Sequence, residues 1–133
     1  MAFVLDASIC AVWALTDETD PLADHAMARL AHEPATVPAL WWFEVRNVLV
    51  ISERRKRLTS DGSHEFLKFL GGFPIWTDEE PDEDAIFGFA RRYQLSFYDA
   101  TYLEVAHRKG LPLATLDKAL RAAAEAAGVP LLA

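Results

Sequence analysis

Two patterns of apolar and polar positions alternate along this chain. Short apolar runs, several of them β-branched, predict five buried strands, at residues 3–5, 36–37, 75–77, 111–115 and 129–132. Between them, apolar residues recur at helical spacing. This second pattern predicts helices at residues 7–15, 21–32, 38–57, 60–70, 82–93, 96–110 and 117–127.

Strands that are separated by helices cannot be joined by tight hairpins, and the chain has no Asn-Gly or Asp-Gly hairpin signal. We therefore predict an α/β fold, a three-layer α/β/α sandwich with a mostly parallel, about five-stranded central sheet. Ligand sites in such sheets lie beyond the carboxyl ends of the strands. Residues that directly follow strands are therefore the first candidates for function.

Composition indicates a single domain, residues 1–133, in a reducing compartment. The chain has 133 residues, of which 52% are hydrophobic, enough for one sizeable core. Its one cysteine, Cys10, cannot form an internal disulfide. The N-terminus does not resemble a secretion signal, and Asp6 interrupts the apolar segment 3–15 before it could cross a membrane. We expect a cytoplasmic protein without membrane contact.

The net charge of −7 would by itself argue against a nucleic-acid partner. Six acidic residues around Pro81, between Asp78 and Asp84, account for all but one of these charges. We interpret this acidic run as a solvated loop that leads into a helix. Basic clusters remain at residues 54–57, 91–92 and 108–109, so the acidic balance does not exclude RNA.

Three acids sit at junctions that lead into helices. Asp6 and Asp117 follow the first and fourth predicted strands, and each could simply cap the helix after it. Asp99 completes a possible capping box with Ser96, in which the acid would bond back to the Ser96 N–H. Taken singly, each of the three has a purely structural explanation.

Glu44 is different, because it shares a helix stripe whose other members are all apolar. The stripe comprises Leu40, Glu44, Val48 and Ile51. A carboxylate there needs a partner, either a base such as Arg46 or a metal ion. Asn47, one turn on, could orient the carboxylate or a metal-bound water.

Together the four acids can converge on one edge of a parallel sheet. Unpaired carboxylates repel one another unless a cation lies between them, and oxygen ligands select Mg2+ or Mn2+ over zinc. Such a site suits phosphodiester hydrolysis. We therefore take Asp6, Glu44, Asp99 and Asp117 as candidate metal ligands and catalytic residues, supported by Ser8, Asn47 and Thr115.

Four segments of this sequence resemble the PIN-domain family, most closely its VapC toxin branch, in order and along the whole chain. They are FVLDAS with Trp13, EVRNVL, LSFYDA with Tyr102, and LATLD, which hold Asp6, Glu44, Asp99 and Asp117 respectively. The resemblance implies a Mg2+- or Mn2+-dependent endoribonuclease, usually a homodimer, that a VapB-type antitoxin blocks. Ala11 and Val12 stand where many relatives carry a basic residue.

Other functions remain open at this point. Within the family they are an RNA-processing nuclease without an antitoxin and a catalytically silent interaction module. A phosphoacceptor receiver domain would need an acidic pair where Asp6 stands alone, and a haloacid-dehalogenase-like phosphatase would need Asp rather than Ser8. Trp41, Trp42 and Phe43 favour core or dimer packing over base stacking.

Overall fold

Four parallel strands form the central sheet in the computed structural model, which describes residues 2–133. In chain order they are β1 (Phe3–Leu5), β2 (Ala35–Pro38), β3 (Ile75–Asp78) and β4 (Leu113–Ala114). Their order across the sheet is β3-β2-β1-β4. All three pairings are parallel, with Phe3 opposite Ala35 and Val4 opposite Leu113. The prediction of a parallel α/β fold is confirmed.

Helices flank this sheet and connect its strands. Among residues 2–133 they are α1 (Ala7–Ala14), α2 (Pro21–Leu30), α3 (Leu40–Arg54), α4 (Ser60–Leu70), α5 (Glu83–Tyr93), α6 (Phe97–Lys109) and α7 (Lys118–Ala126). Side chains cap several of their N-termini, as when Asp20 accepts the N–H of Leu22 at 2.8 Å. Pro38 ends β2 rather than opening α3, so the third helix begins two residues later than predicted.

Helix α6 crosses the sheet and organises the core. It contacts β1, β2 and β4 as well as α5 and α7. Every residue from 100 to 106 is buried, an unusually long run that includes the polar side chains of Tyr102 and Glu104. The strand it covers, β1, is buried throughout. The middle of α6, residues 100–106, is therefore packed firmly in the core, whereas its first turn is largely exposed.

The predicted fifth strand, residues 129–132, is not a strand in the structure, so the sheet has four strands rather than five. Only one parallel bridge forms there, between Leu113 and Leu131. Pro130 accepts the N–H of Leu113 through its carbonyl oxygen but has no N–H with which to extend a ladder. The short strand β4 also leaves little backbone to pair with.

A buried ion-pair network joins β3 to α6. Arg108 donates to Asp78 Oδ2 at 2.6 Å and to Glu104 Oε1 at 2.9 Å, while Lys109 Nζ lies 3.7 Å from Asp78 Oδ1. The side chains of Asp78 and Glu104 are only 4% and 2% exposed. The first acid of the acidic run is therefore buried rather than solvated. Arg108 and Lys109 are committed to these acids, which removes one of the predicted basic clusters.

Among residues 2–133, no helix combines the length and the apolar character that a membrane span requires.

Candidate functional site

The four candidate acids line one pocket beyond the carboxyl ends of β1 and β4. This acidic pocket has a volume of about 250 Å³ and is lined by Asp6, Ala7, Ser8, Glu44, Asn47, Val48, Asp99 and Asp117. Strands β1 and β4 are neighbours in the sheet, so the acids that follow them are brought together. Helices α3 and α6 contribute the other two acids. The pocket thus lies where parallel sheets place their ligands.

Asp6 is the most buried of the four, and two hydroxyl groups hold it. Ser8 Oγ and Thr115 Oγ1 each donate to Asp6 Oδ2 at 2.7 Å. The same hydroxyl oxygens accept backbone N–H groups, Ser8 from Leu116 at 3.0 Å and Thr115 from Asp117 at 3.1 Å. This network fixes the Asp6 carboxylate and ties the end of β1 to the end of β4.

The structural explanations for the junction acids have different outcomes. The Asp6 side chain makes no capping bond to α1, although the residue occupies the N-cap position. Asp117 does cap its helix, since Oδ1 accepts the N–H of Leu120 at 2.9 Å. Half of the capping box at α6 is present, because Ser96 Oγ accepts the N–H of Asp99 at 3.0 Å. Among the hydrogen bonds of residues 2–133, the Asp99 carboxylate makes no return bond to the Ser96 N–H.

Glu44 is held by a tyrosine rather than by a base. Tyr102 donates its hydroxyl to Glu44 Oε1 at 2.6 Å, and no ion pair of Glu44 occurs within residues 2–133. Arg46 instead donates to the Trp42 carbonyl at 3.2 Å and stacks over the Trp42 ring. The salt-bridge explanation for Glu44 is therefore wrong for this structure.

The stripe of α3 that faces the core is also offset from the predicted one. Its buried members are Trp41, Val45, Leu49 and Ser52. Glu44 is half-buried at the edge of this stripe, where it faces the acidic pocket, and Asn47 is exposed at the pocket rim. Of the aromatic residues at the start of α3, Trp41 is in the core while Trp42 and Phe43 are 52% and 68% exposed.

The pKa values of Asp6, Glu44 and Asp99 are raised, chiefly by burial and further by the charges of neighbouring acids. Burial raises the pKa of Asp6 above its usual value, and the charge of Asp117 adds to this, although hydrogen bonds from Thr115 and Ser8 oppose it. Burial likewise raises the pKa of Glu44, helped by Asp6 and Asp99. The pKa of Asp99 is raised by burial and by Asp117 and Asp6. Ionising these carboxylates together in the metal-free pocket therefore costs free energy.

A divalent cation would remove this cost, and the residues present suit one. All the candidate ligands are oxygens, which Mg2+ and Mn2+ prefer. Within residues 2–133, no three acidic, histidine or cysteine side chains are gathered closely enough to enclose a metal ion. Such an open arrangement suits Mg2+, which usually binds through one or two carboxylates and keeps several waters. Asp6 is the deepest candidate, and Glu44, Asp99 and Asp117 are half-buried around it.

The raised pKa values predict how the metal-free protein responds to pH. A carboxyl whose pKa is raised by folding favours the folded state below its unfolded pKa and loses that contribution as pH rises through the folded pKa. In EDTA, Asp6→Asn should therefore stabilise the protein by about 1–2 kcal/mol at pH 7. The gain should fade near pH 4. Thermal unfolding at both pH values measures this, and equal destabilisation at both would contradict it.

Sequence reasoning did not assign a role to two residues beside the pocket. Tyr102 is the hydrogen-bond partner of Glu44, and Arg121 donates to the Thr115 carbonyl at 2.9 Å. A signal for Tyr102 was available, because it lies three residues after Asp99 and so shares a face of α6 with it. Nothing in the spacing connects Arg121 to Thr115 in advance.

A wider groove opens beside the acidic pocket. It has a volume of about 700 Å³ and is lined by Leu40, Phe43, Glu44, Arg46, Asn47, Val50 and Tyr98. Glu44 and Asn47 border both spaces, so the groove leads directly into the pocket. Phe43 and Tyr98 are 68% and 65% exposed on its walls, which leaves a large apolar face uncovered.

Comparisons with known proteins agree with this architecture. Ribonuclease VapC3 of Pyrobaculum aerophilum is 32% identical over 124 residues, covering 90% of this chain and 92% of that protein. The crystal structure of PAE2754 from the same organism has a TM-score of 0.70 at 27% identity, covering 92% of this chain and 87% of that one. The crystal structure of VapC20 from Mycobacterium tuberculosis, a sarcin-ricin loop cleaving toxin, has the same fold, with a TM-score of 0.60 at 18% identity. The match covers 92% of this chain and 95% of the VapC20 chain. The PIN-domain model matches residues 3–126, and the chain belongs to the PIN-domain family.

Proposed function

We propose that residues 1–133 form one PIN domain that acts as a Mg2+- or Mn2+-dependent endoribonuclease of the VapC type. The observation that carries this proposal is the convergence of four carboxylates on one pocket, three of them with a raised pKa and none in an ion pair within residues 2–133. The similarity to ribonuclease VapC3 supports RNA as the substrate.

The bound metal would polarise a phosphodiester and lower the pKa of an attacking water. The chain's own residues would position the metal and neutralise its charge. Asp6, fixed by Ser8 and Thr115, and Glu44, fixed by Tyr102, would hold the metal. Asp99 and Asp117 add negative charge to the same pocket and would order metal-bound waters. The exposed amide of Asn47 lies at the rim, where it would donate to a substrate phosphate.

A cation for the RNA backbone is available in the groove beside the pocket. Arg46 lines that groove, and no ion pair with an acid occupies it within residues 2–133. Arg57, by contrast, is paired with Glu18 at 2.8 Å and Asp17 at 3.2 Å. Of the predicted basic cluster at residues 54–57, only the part before Arg57 is therefore open to phosphate.

The exposed apolar face supports a homodimer. Phe43, Val50, Phe97 and Tyr98 are each more than 40% exposed, although aromatic and aliphatic groups of this size normally find cover. A second copy placed there would cover them and narrow the groove that leads to the pocket. We further propose a cytoplasmic toxin that a VapB-type antitoxin neutralises, by analogy with VapC3.

RNA cleavage by the purified protein tests the proposal. End-labelled RNA should be cut in Mg2+ or Mn2+, and EDTA should stop the reaction. Adding the product of a neighbouring small antitoxin gene should inhibit it, whereas cleavage that no such partner affects would favour an RNA-processing nuclease. Absence of cleavage with both metals on a broad set of RNAs would favour a silent interaction module.

A further inference from the structure

Tyr102 is buried in the core, and yet its hydroxyl reaches Glu44, a carboxylate that lines the acidic pocket. Its side chain is fully inaccessible to solvent, and the hydroxyl lies 2.6 Å from Glu44 Oε1. The two residues are 58 positions apart, on α6 and α3. The residues before and after Tyr102 in α6 are also buried, so the ring cannot move without disturbing the core. The tyrosine therefore fixes the glutamate, rather than the reverse.

This contact occupies one of the two oxygens of Glu44. Within residues 2–133, Oε2 receives no hydrogen bond from a side chain, so Oε2 is the oxygen with both lone pairs open to a ligand. Asp6 repeats the arrangement, because the hydroxyls of Ser8 and Thr115 both donate to Oδ2. In both Asp6 and Glu44, side-chain hydroxyls hold a single carboxylate oxygen.

Metal ions differ in how many carboxylate oxygens they take. Ca2+ binds six to eight oxygens and often uses both oxygens of one carboxylate, whereas Mg2+ binds six and takes carboxylates through one oxygen. A hydrogen bond uses one lone pair of its oxygen and orients the carboxylate, which makes binding of a metal through both oxygens less favourable. A site built from such acids should accept the smaller ions more readily than Ca2+.

We propose that Tyr102 is a positioning residue that restricts Glu44 to binding through one oxygen and thereby makes the site prefer Mg2+ and Mn2+ over Ca2+. The inference rests on the proposed metal-dependent function, but it concerns a different residue and a different property. It assigns the core tyrosine a role in selecting the metal, beyond its role in packing.

Calorimetric titration of wild type and Tyr102→Phe with Mn2+, and separately with Ca2+, tests the proposal without any nuclease assay. The variant removes only the hydroxyl. We expect the Mn2+ affinity to fall by about tenfold, as for other partners of metal ligands, while the Ca2+ affinity changes little or rises. The matched control is Tyr93→Phe, which removes a hydroxyl from a tyrosine stacked on Phe89, outside the pocket. Its affinities should equal those of wild type.

Two results would overturn the proposal in distinguishable ways. If wild type binds Mn2+ and Tyr102→Phe keeps the same ratio of Mn2+ to Ca2+ affinity, the role of Tyr102 is wrong while the metal site stands. If wild type binds neither ion, the metal site is wrong as well.

A measurement on wild type covers the case in which Tyr102→Phe does not fold. Infrared difference spectra on adding Mn2+ report whether a carboxylate binds through one oxygen or two, and Glu44→Gln identifies the Glu44 band. Binding through one oxygen supports the proposal, and binding through two oxygens overturns it.

Discussion

Asp6→Asn and Asp99→Asn should each reduce metal-dependent RNA cleavage by about 10²–10³-fold, which corresponds to the several kcal/mol that a bound metal supplies. Asparagine has the same shape as aspartate but lacks its charge. The Asp6 side chain can still accept the hydroxyls of Ser8 and Thr115 through its remaining oxygen, so the variant should stay folded. The loss should therefore reflect the metal site alone.

Asp24→Asn provides the matched control for this pair. Asp24 is exposed on α2 and does not line the acidic pocket, so the same change of charge there should leave cleavage within about twofold of wild type. Cleavage rates at saturating and at limiting Mg2+ separate a loss of metal affinity from a loss of rate. Full activity in Asp6→Asn would show that the nuclease activity does not depend on this pocket.

Arg108→Ala should destabilise the fold by about 3–5 kcal/mol, the largest effect on stability that we expect from any single surface-reaching residue. Arg108 is the cation between Asp78 and Glu104, whose side chains are almost fully buried. Removing it leaves Glu104 without an ion pair among residues 2–133 and Asp78 with only Lys109 at 3.7 Å, and desolvated charges of this kind are costly. Urea unfolding measured at pH 7 gives the difference directly.

Arg57→Ala is the matched control for Arg108. Arg57 also contacts two acids, but Asp17 and Glu18 are 68% and 39% exposed, so their charges remain hydrated when the partner is lost. Exposed pairs of this kind contribute about 0–1 kcal/mol. If Arg108→Ala cost no more than Arg57→Ala, the network between β3 and α6 would not be a major source of stability.

The positions of the strands and of the acids beside them could be predicted because both depend on local pattern. The run Phe3–Leu5 is apolar and ends at Asp6, and the run before Asp117 behaves in the same way. Once the strands are parallel, their carboxyl ends meet at one edge. The sheet edge shared by Asp6 and Asp117 could therefore be predicted, but their closeness depends on the pairing of β4 with β1, which chain order does not dictate. Their roles remain a prediction.

The partners of buried polar groups could not be predicted, because they depend on contacts between distant elements. Glu44 meets Tyr102 across 58 positions, and Arg108 meets Asp78 across 30. From the sequence, Arg46 was an equally reasonable partner for Glu44, and a solvated loop was an equally reasonable setting for Asp78. The choice is made by the docking of α6 against α3 and β3, which periodicity within each segment does not encode.

The lost fifth strand has a related cause. Residues 129–132 are apolar enough to be a strand, yet a ladder also needs a neighbour of sufficient length and a donor at each position. Strand β4 has only two residues, and Pro130 has no N–H. Apolar character alone therefore overestimated the number of strands in the sheet.

Crystals grown with MnCl2 and measured at the manganese absorption edge test the central claim most directly. We expect an anomalous difference peak in the pocket lined by Asp6, Glu44, Asp99 and Asp117, in contact with Asp6 and Glu44. The peak should disappear in Asp6→Asn. Absence of a peak in wild type, at a Mn2+ concentration that supports RNA cleavage, would contradict the assignment of these carboxylates as the metal site.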